Sequence, residues 1–466
     1  MLRRCPRRAR RRGRCGPNSR SPARSPQFPS ARAACQVVRP PGFVSATLPR
    51  VGNLWQVNEG EVAKRCQALV RSRPTSEPVN GEVVTLLAEK TTVTEREVRF
   101  GDVRYGFSVG HGPESLGALT RKLEGLDADR FVIVADTGLT QDQIDEIARC
   151  AGEVAPTTVL TAVADEKAKS LDVVSALAER LIPTGITRRS VVIALGGGLV
   201  GNMAGLLSAL VFRGIRLVHV PTTLLAMSDS VLSLKQAVNT SVGKNHLGTF
   251  YAPVFVWNHL DFLRTLPADE IRSALCEMIK NVLGIVPDRY DEVAARLRPD
   301  ARYTPEDFAW FIDLCVEAKC AVMRDDKTER GDALILEYGH TIGHAAELLT
   351  GGELRHGYAI GLGMLAVARI ARELGLLTAE DEAAHRTLLT LNGAPTVLPA
   401  GVTVDAVLRT IALDNKRGYV KATAGTRDLI LLEGLGKPHR PGGAQITQVP
   451  EAIVRLGVES IAGEVA

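Results

Sequence analysis

Two histidines, His340 and His344, stand four residues apart in Leu336-Glu337-Tyr338-Gly339-His340-Thr341-Ile342-Gly343-His344. On a helix that spacing puts both imidazoles on one face. A third, His356, follows in Arg355-His356-Gly357, and Glu277 lies upstream in Cys276-Glu277-Met278-Ile279-Lys280. One carboxylate and two imidazoles with an open position suit a catalytic divalent ion such as Zn²⁺ or Co²⁺. Two of the three histidines are then ligands and the third faces a substrate. The pattern lacks the Glu that follows the first His in metalloproteases. Cys276, beside Glu277, reads as a small buried helix residue rather than a ligand.

A second constellation lies upstream. Gly196-Gly197-Gly198-Leu199-Val200-Gly201 fits G-x-G-x-x-G, directly after the apolar run Ser190–Leu195 and at the start of a helical pattern. Glycines there let backbone N–H groups approach a diphosphate, and the helix N-terminus favours its charge. No acid follows at the usual distance of about 20 residues. Asp136, at the end of an earlier apolar run, is a candidate for the ribose, with Glu166 and Lys169 flanking the same nucleotide. A polar run then begins at Pro221-Thr222-Thr223, passes Asp229 and Lys235, and reaches Gly243-Lys244-Asn245. Two readings stand: a plain exposed polar loop, which composition favours, or a loop whose lysines and Asn clamp a phosphate while Asp229 accepts from a sugar hydroxyl. A metal and a dinucleotide in one chain imply chemistry on an alcohol.

The elements that must position these groups fall into two regions. Apolar runs at Phe131–Asp136, Thr158–Val163, Ser190–Leu195 and Leu217–Pro221 alternate with helical patterns such as Ser170–Ile182 and Gly201–Leu210. This predicts a parallel sheet covered by helices, an α/β nucleotide-binding domain over residues 80–258. Strand signals then fade, and helical periods follow at Pro305–Val322, Tyr358–Leu374 and Ala379–Leu391. Residues 259–466 read as a mainly α-helical metal and substrate domain, with one late strand near Leu429–Leu432.

Bulk composition narrows the class. No apolar run approaches the roughly 20 residues of a membrane span. Residues 1–50 hold 13 Arg and no Lys, Asp or Glu, which leaves 44 basic and 52 acidic residues elsewhere. The body is acidic, so the net charge of +5 is no argument for nucleic acid. The Arg- and Pro-rich leader reads as disordered: a transit peptide, a basic arm, or translated upstream sequence, the last favoured by its composition. The eight cysteines form no C-x-x-C pair, which fits free thiols in a reducing, cytoplasmic setting.

Together these motifs resemble one family, the sugar phosphate cyclases, of which 3-dehydroquinate synthase is the best known. The resemblance runs from about residue 80 to 440. It rests on Gly196–Gly201, Pro221-Thr222-Thr223, Asp229, Lys235, Gly243-Lys244-Asn245, Glu277-x-x-Lys280, Lys319 and Gly339-His340-Thr341-x-Gly343-His344-Ala345. It implies NAD⁺, one divalent ion and a homodimer. By matching position it makes Glu277, His340 and His356 the metal ligands. Asp136, Glu166, Lys169, Gly197, Gly198, Thr222, Thr223 and Lys244 serve NAD⁺. Lys235, Asp229, His344, Asn245, Lys280, Lys319 and Lys416 face a sugar phosphate. The departures select a branch. Dehydroquinate synthases carry Asn at the position of Glu337 and, four residues earlier, an Arg for the substrate carboxylate, where this chain has Ala333. Losing that bidentate partner favours a substrate without a carboxylate. Ser233-Leu234-Lys235-Gln236-Ala237-Val238-Asn239 and Gly201-Asn202-Met203-Ala204-Gly205 resemble the branch that cyclises D-glucose 6-phosphate for aminoglycoside antibiotics, in which Glu337 is expected to be a proton shuttle or a hydroxyl acceptor near C2. 3-Dehydroquinate synthase and 2-epi-5-epi-valiolone synthase activities are the alternatives.

Overall fold

The computed structural model describes residues 93–241, 243–413, 420–421 and 423–463. The leader of residues 1–50 and Lys416 lie outside them.

Among the described residues, nine strands and four α-helices precede residue 260: β1 (Val93–Phe100), β2 (Val103–Gly110), α1 (Gly112–Glu124), β3 (Phe131–Asp136), α2 (Gln141–Gly152), β4 (Thr157–Ala162), α3 (Leu171–Leu181), β5 (Val191–Gly196), α4 (Gly198–Leu210), β6 (Arg216–Pro221), β7 (Lys235–Thr240), β8 (Gly243–Phe250) and β9 (Phe255–His259). Seven strands form one sheet in the order β1-β2-β9-β6-β5-β3-β4. Within it the β1–β2 pair is antiparallel and the other pairs are parallel. Both faces of the central strands are covered, so their sequences are apolar without alternation. Val132, Val134, Val192 and Ala194 pack beneath α3 and α4 with Val174, Leu177, Val200 and Met203. Phe131, Ile133, Val191 and Ile193 face α1 and α2 with Leu119, Leu123, Ile144 and Ile147.

The winding places a site. From β3 the chain moves outward to β4, then crosses back to lay β5 on the other side of β3. The carboxyl ends of β3 and β5 therefore flank a topological switch point, where open α/β sheets bind ligands. Asp136 ends β3 and Gly196 ends β5.

The stretch expected as an exposed polar loop is instead an antiparallel hairpin, with Lys235 opposite Phe250 and a bulge between Val238 and Thr240. Burial supplies the reason: Ala237 and Val238 lie inside, and Val238 joins the core beneath α4. The late strand is also displaced. β10 (Thr426–Leu429) pairs with β11 (Thr447–Pro450), while Ile430–Leu432 continue as buried chain.

Helices dominate after His259: α5 (Ala268–Gly284), α6 (Tyr290–Arg296), α7 (Pro305–Met323), α8 (His340–Leu349), α9 (His356–Glu373), α10 (Ala379–Leu391), α11 (Val404–Thr410) and α12 (Glu451–Glu459). Thr304 and Thr378 close capping boxes with Asp307 and Asp381, which fixes the starts of α7 and α10. α5 is buried at every position from Ser273 to Gly284, so its polar residues must find partners inside. α8 and α9 cross at glycine contacts. A Cβ on Gly363 would collide with Gly339 O, and Gly339 itself holds φ 79 ahead of α8. That contact brings His340, His344 and His356 together.

Candidate active site

The imidazoles of His340, His344 and His356 form a triangle with ring centroids 5.1, 5.6 and 5.7 Å apart. A nitrogen of each lies within 4.8 Å of the others, a spacing that one metal ion can bridge. Glu277 reaches up from α5, with Oε1 3.3 Å from His356 Nε2 and 3.7 Å from His340 Nε2. Both of its oxygens are buried and receive no hydrogen bond of good geometry among the described residues, although Lys280 Nζ lies 2.5 Å from Oε2. Burial opposes its charge, yet the Lys280 ammonium beside it holds Glu277 well below the usual carboxylate range. A buried, ionised carboxylate facing two ring nitrogens fits the donor set of a divalent ion. Each flanking ring is held from behind. His340 Nδ1 meets Tyr338 O at 3.1 Å, and His356 Nδ1 meets Glu347 Oε2 at 3.1 Å. Burial, with Lys280, pushes His340 down to about 4, which keeps it neutral and ready to ligate.

Cys276, next to Glu277, points elsewhere, its thiol meeting Arg272 O at 3.4 Å. Tyr358 ties α9 to α5 by donating to Asp269 Oδ1 at 3.0 Å and accepting from Arg272 Nε at 3.1 Å.

Three lysines continue the site. Lys280 Nζ also donates to Leu336 O at 2.7 Å. Lys319 Nζ lies 2.7 Å from Asp229 Oδ1 and donates to Asp229 O at 2.9 Å. Lys235 pairs closely with Glu329 and sits 3.8 Å from Glu337 Oε1. Burial disfavours the Lys235 charge, but Glu329 and Glu337 more than restore it and raise its pKa. Lys235 is therefore a fixed cation at neutral pH.

At the switch point, Gly197 caps α4, and among the described residues no side chain caps that N-terminus. The free N–H groups there suit a diphosphate. Thr222 N donates to Gly196 O at 3.0 Å, and a Cβ on Gly197 would lie 3.3 Å from the Thr223 methyl. A Cβ on Gly196 would meet that of Asp136 at 3.0 Å, which sets the acid against the glycine turn. Lys169 is buried, and burial pulls it down to about 8. It donates to Asn245 Oδ1 at 2.5 Å, so Asn245 stands beside the nucleotide candidates. Glu166 accepts from Asn239 Nδ2 at 2.7 Å, and Lys244 Nζ lies 3.5 Å from Glu166 and 2.8 Å from Glu347.

The fold thus gathers Glu277, His340, His344, His356, Lys280, Lys319, Asp229, Lys235 and Glu337 at one end. Asp136, Gly197, Gly198, Thr222 and Thr223 collect at the switch point. Glu166, Lys169, Lys244 and Asn245 form a third group. Three residues escaped sequence reasoning. Glu347 lies three and seven positions beyond His344 and His340, a spacing that was there to be read. Glu329 and Asn239 carry no such signal, since their partners Lys235 and Glu166 are remote in sequence.

The arrangement defines a class. The chain matches the family descriptions "3-dehydroquinate synthase N-terminal" over residues 159–273 and "3-dehydroquinate synthase C-terminal" over residues 274–417. The chain belongs to the 3-dehydroquinate synthase family. Within it, the chain is 44% identical to the 2-deoxy-scyllo-inosose synthase of Streptoalloteichus tenebrarius over 378 residues, 80% of this chain and 95% of that one. It is 45% identical to the 2-deoxy-scyllo-inosose synthase of Micromonospora echinospora over 368 residues, 79% of this chain and 92% of that one. A crystal structure of 2-deoxy-scyllo-inosose synthase complexed with carbaglucose-6-phosphate, NAD⁺ and Co²⁺ superimposes with a TM-score of 0.75 at 36% identity, covering 78% of this chain and 99% of that one. A probable glycerol dehydrogenase from Sinorhizobium meliloti shares the fold alone, at a TM-score of 0.52, 13% identity, 78% of this chain and 98% of that one. No helix among the described residues is long and apolar enough to cross a membrane.

Proposed function

We propose that this protein converts D-glucose 6-phosphate to 2-deoxy-scyllo-inosose and inorganic phosphate, as a carbon–oxygen lyase on the route to the 2-deoxystreptamine ring of aminoglycoside antibiotics. The observation that carries the reading is a carboxylate–imidazole cluster set among three lysines, in a chain 44% identical to a 2-deoxy-scyllo-inosose synthase along most of its length. The order of events is oxidation at C4, loss of phosphate from C6, re-reduction at C4 and intramolecular aldol closure. Glu277, His340 and His356 would hold one divalent ion, and Asp136, Glu166, Lys169, Gly197, Gly198, Thr222, Thr223 and Lys244 would hold NAD⁺. When bound, the ion supplies a Lewis acid and the dinucleotide a hydride acceptor at the same hydroxyl.

Protein side chains do the rest. Lys235, held cationic by Glu329 and Glu337, stabilises the departing phosphate with His344, Asn245 and Lys416. Lys280 and Lys319, fixed by Glu277 and Asp229, orient the sugar hydroxyls, so that the ring closes by proximity. Glu337 moves a proton beside Lys235. Division into domains at 258/259, a homodimer and a cytoplasmic location belong to the same reading, supported by the family resemblance and the free cysteines 150, 276, 315 and 320.

The test is purified protein with D-glucose 6-phosphate, NAD⁺ and Co²⁺. Phosphate release, a carbocyclic ketone by mass and no net NADH are expected. Turnover confined to a heptulosonate or heptulose 7-phosphate would overturn the substrate, and accumulating NADH would overturn the lyase.

A pH dependence follows from Lys169. It is charged below about 8 and neutral above, so the diphosphate loses a cationic partner as pH rises. The Kd of NAD⁺ is expected to rise roughly tenfold between pH 7 and 9. Stability has the opposite sign. The folded pKa lies below the unfolded value, so this group's contribution to folding increases through that window. Weaker binding is therefore not incipient unfolding. Titration calorimetry of Lys169→Arg, always charged, should give a flat profile; a wild-type slope there would refute the assignment.

A further inference from the structure

Glu347 has its two oxygens committed to two different ends of the site. Oε2 lies 3.1 Å from His356 Nδ1, and Oε1 accepts from Lys244 Nζ at 2.8 Å. Lys244 in turn reaches Glu166, and its neighbour Asn245 holds Lys169. The carboxylate is mostly buried, with 11% of its side chain exposed. An ionised carboxylate only accepts, so the His356 ring must carry its hydrogen on Nδ1. Nε2 faces the Glu277 carboxylate at 3.3 Å, so without an ion both ring nitrogens carry hydrogen between two carboxylates, and a divalent ion would take the place of the Nε2 proton while Nδ1 keeps its own. His340 is held in the same way, but by the neutral carbonyl of Tyr338. A charged acceptor behind an imidazole fixes its tautomer and raises its basicity as a ligand.

We propose that Glu347 is a positioning residue with two tasks: it fixes His356 with Nε2 toward Glu277, and through Lys244 it couples binding of the divalent ion to binding of the dinucleotide. The proposal rests on the reading of His356 as a metal ligand and Lys244 as a dinucleotide contact. An ion on His356 holds Glu347 in place and so holds Lys244 for the dinucleotide. By linkage, NAD⁺ must favour the ion equally. An amide cannot replace the carboxylate, because one of its two ends donates and would oppose either the Nδ1–H or the ammonium.

The test uses full-length protein without substrate, following Co²⁺ by its visible absorption and NAD⁺ by calorimetry, each alone and with the other. In the wild type, Co²⁺ is expected to tighten NAD⁺ about fivefold or more. Glu347→Gln is expected to weaken Co²⁺ about 10–100-fold and reduce the coupling to within about twofold. Lys244→Met is expected to keep Co²⁺ affinity within about threefold while losing the coupling. Wild-type Co²⁺ affinity and coupling in Glu347→Gln would overturn the proposal. If that variant does not fold, wild-type coupling in Lys244→Met overturns it instead. His356→Ala and Glu277→Gln keep the two readings apart. If both bind Co²⁺ like the wild type, the metal site itself is misassigned. If both lose it while Glu347→Gln does not, only the role of Glu347 falls.

Discussion

Glu277→Gln is expected to abolish Co²⁺ binding and to lower kcat on D-glucose 6-phosphate by roughly three orders of magnitude, the several kcal/mol that a Lewis acid contributes at about 1.4 kcal/mol per decade. Glu277 faces both His340 and His356 from α5, and among the described residues it alone brings a negative charge directly against both rings. The same change damages the fold. Lys280, buried to 3% exposure, would keep Leu336 O as a hydrogen-bond acceptor but lose its carboxylate. Breaking one side of a buried pair costs about 3–5 kcal/mol, or a Tm lower by roughly 5 °C for a chain of this size. Assays well below the new Tm separate the two effects. Combining Lys280→Met with Glu277→Gln removes the orphaned ammonium, so part of the Tm should return while Co²⁺ binding does not. A Glu277→Gln variant that binds Co²⁺ with the wild-type spectrum and retains kcat would remove Glu277 from the metal site.

How much of this was legible in the sequence follows from the range of each interaction. β3 and β5 are buried on both faces, so their apolar runs announce them, and a glycine turn after such a run can be placed without coordinates. His340 and His344 are readable because helical geometry relates close neighbours. The β7–β8 hairpin was not, because its strands are polar and the burial of Ala237 and Val238 depends on α4 lying beneath them. Charge pairs were hidden for the same reason. Lys235 finds Glu329 94 residues away and Lys244 finds Glu347 103 residues away, and the type of a lone Glu says nothing about such a partner. Lys169 illustrates the converse. Its surroundings in sequence are those of a solvated helix start, and only the packed structure shows it buried against Asn245. Resemblance to the family singled out particular lysines, but the structure supplies the reason Lys235 and Lys280 stay charged and Lys169 loses its charge more readily.

Glu337→Gln is expected to lower kcat by about 10²–10⁴, the usual worth of a positioned acid–base group, with the Kd of NAD⁺ unchanged. Glu337 Oε1 lies 3.8 Å from Lys235 Nζ, whose tighter partner is Glu329. The amide therefore leaves Lys235 cationic and the phosphate site intact, so KM for D-glucose 6-phosphate should move by less than about threefold. A loss in kcat with KM preserved is the signature of a group that acts in the reaction rather than in binding. Restoring the dehydroquinate synthase residues should not convert the enzyme. Ala333 is fully buried in the helical core, and its N–H donates to Asp326 Oδ2 at 3.0 Å. An Arg there would place a long cation in packed apolar surroundings, so Ala333→Arg with Glu337→Asn is expected to destabilise the protein before it creates a carboxylate site. Steady-state kinetics on D-glucose 6-phosphate and on a heptulosonate 7-phosphate, with Tm for each variant, decide both points. Wild-type kcat in Glu337→Gln would end its role as a proton carrier. A stable double variant that turns over the heptulosonate would show that specificity lies in these two positions alone.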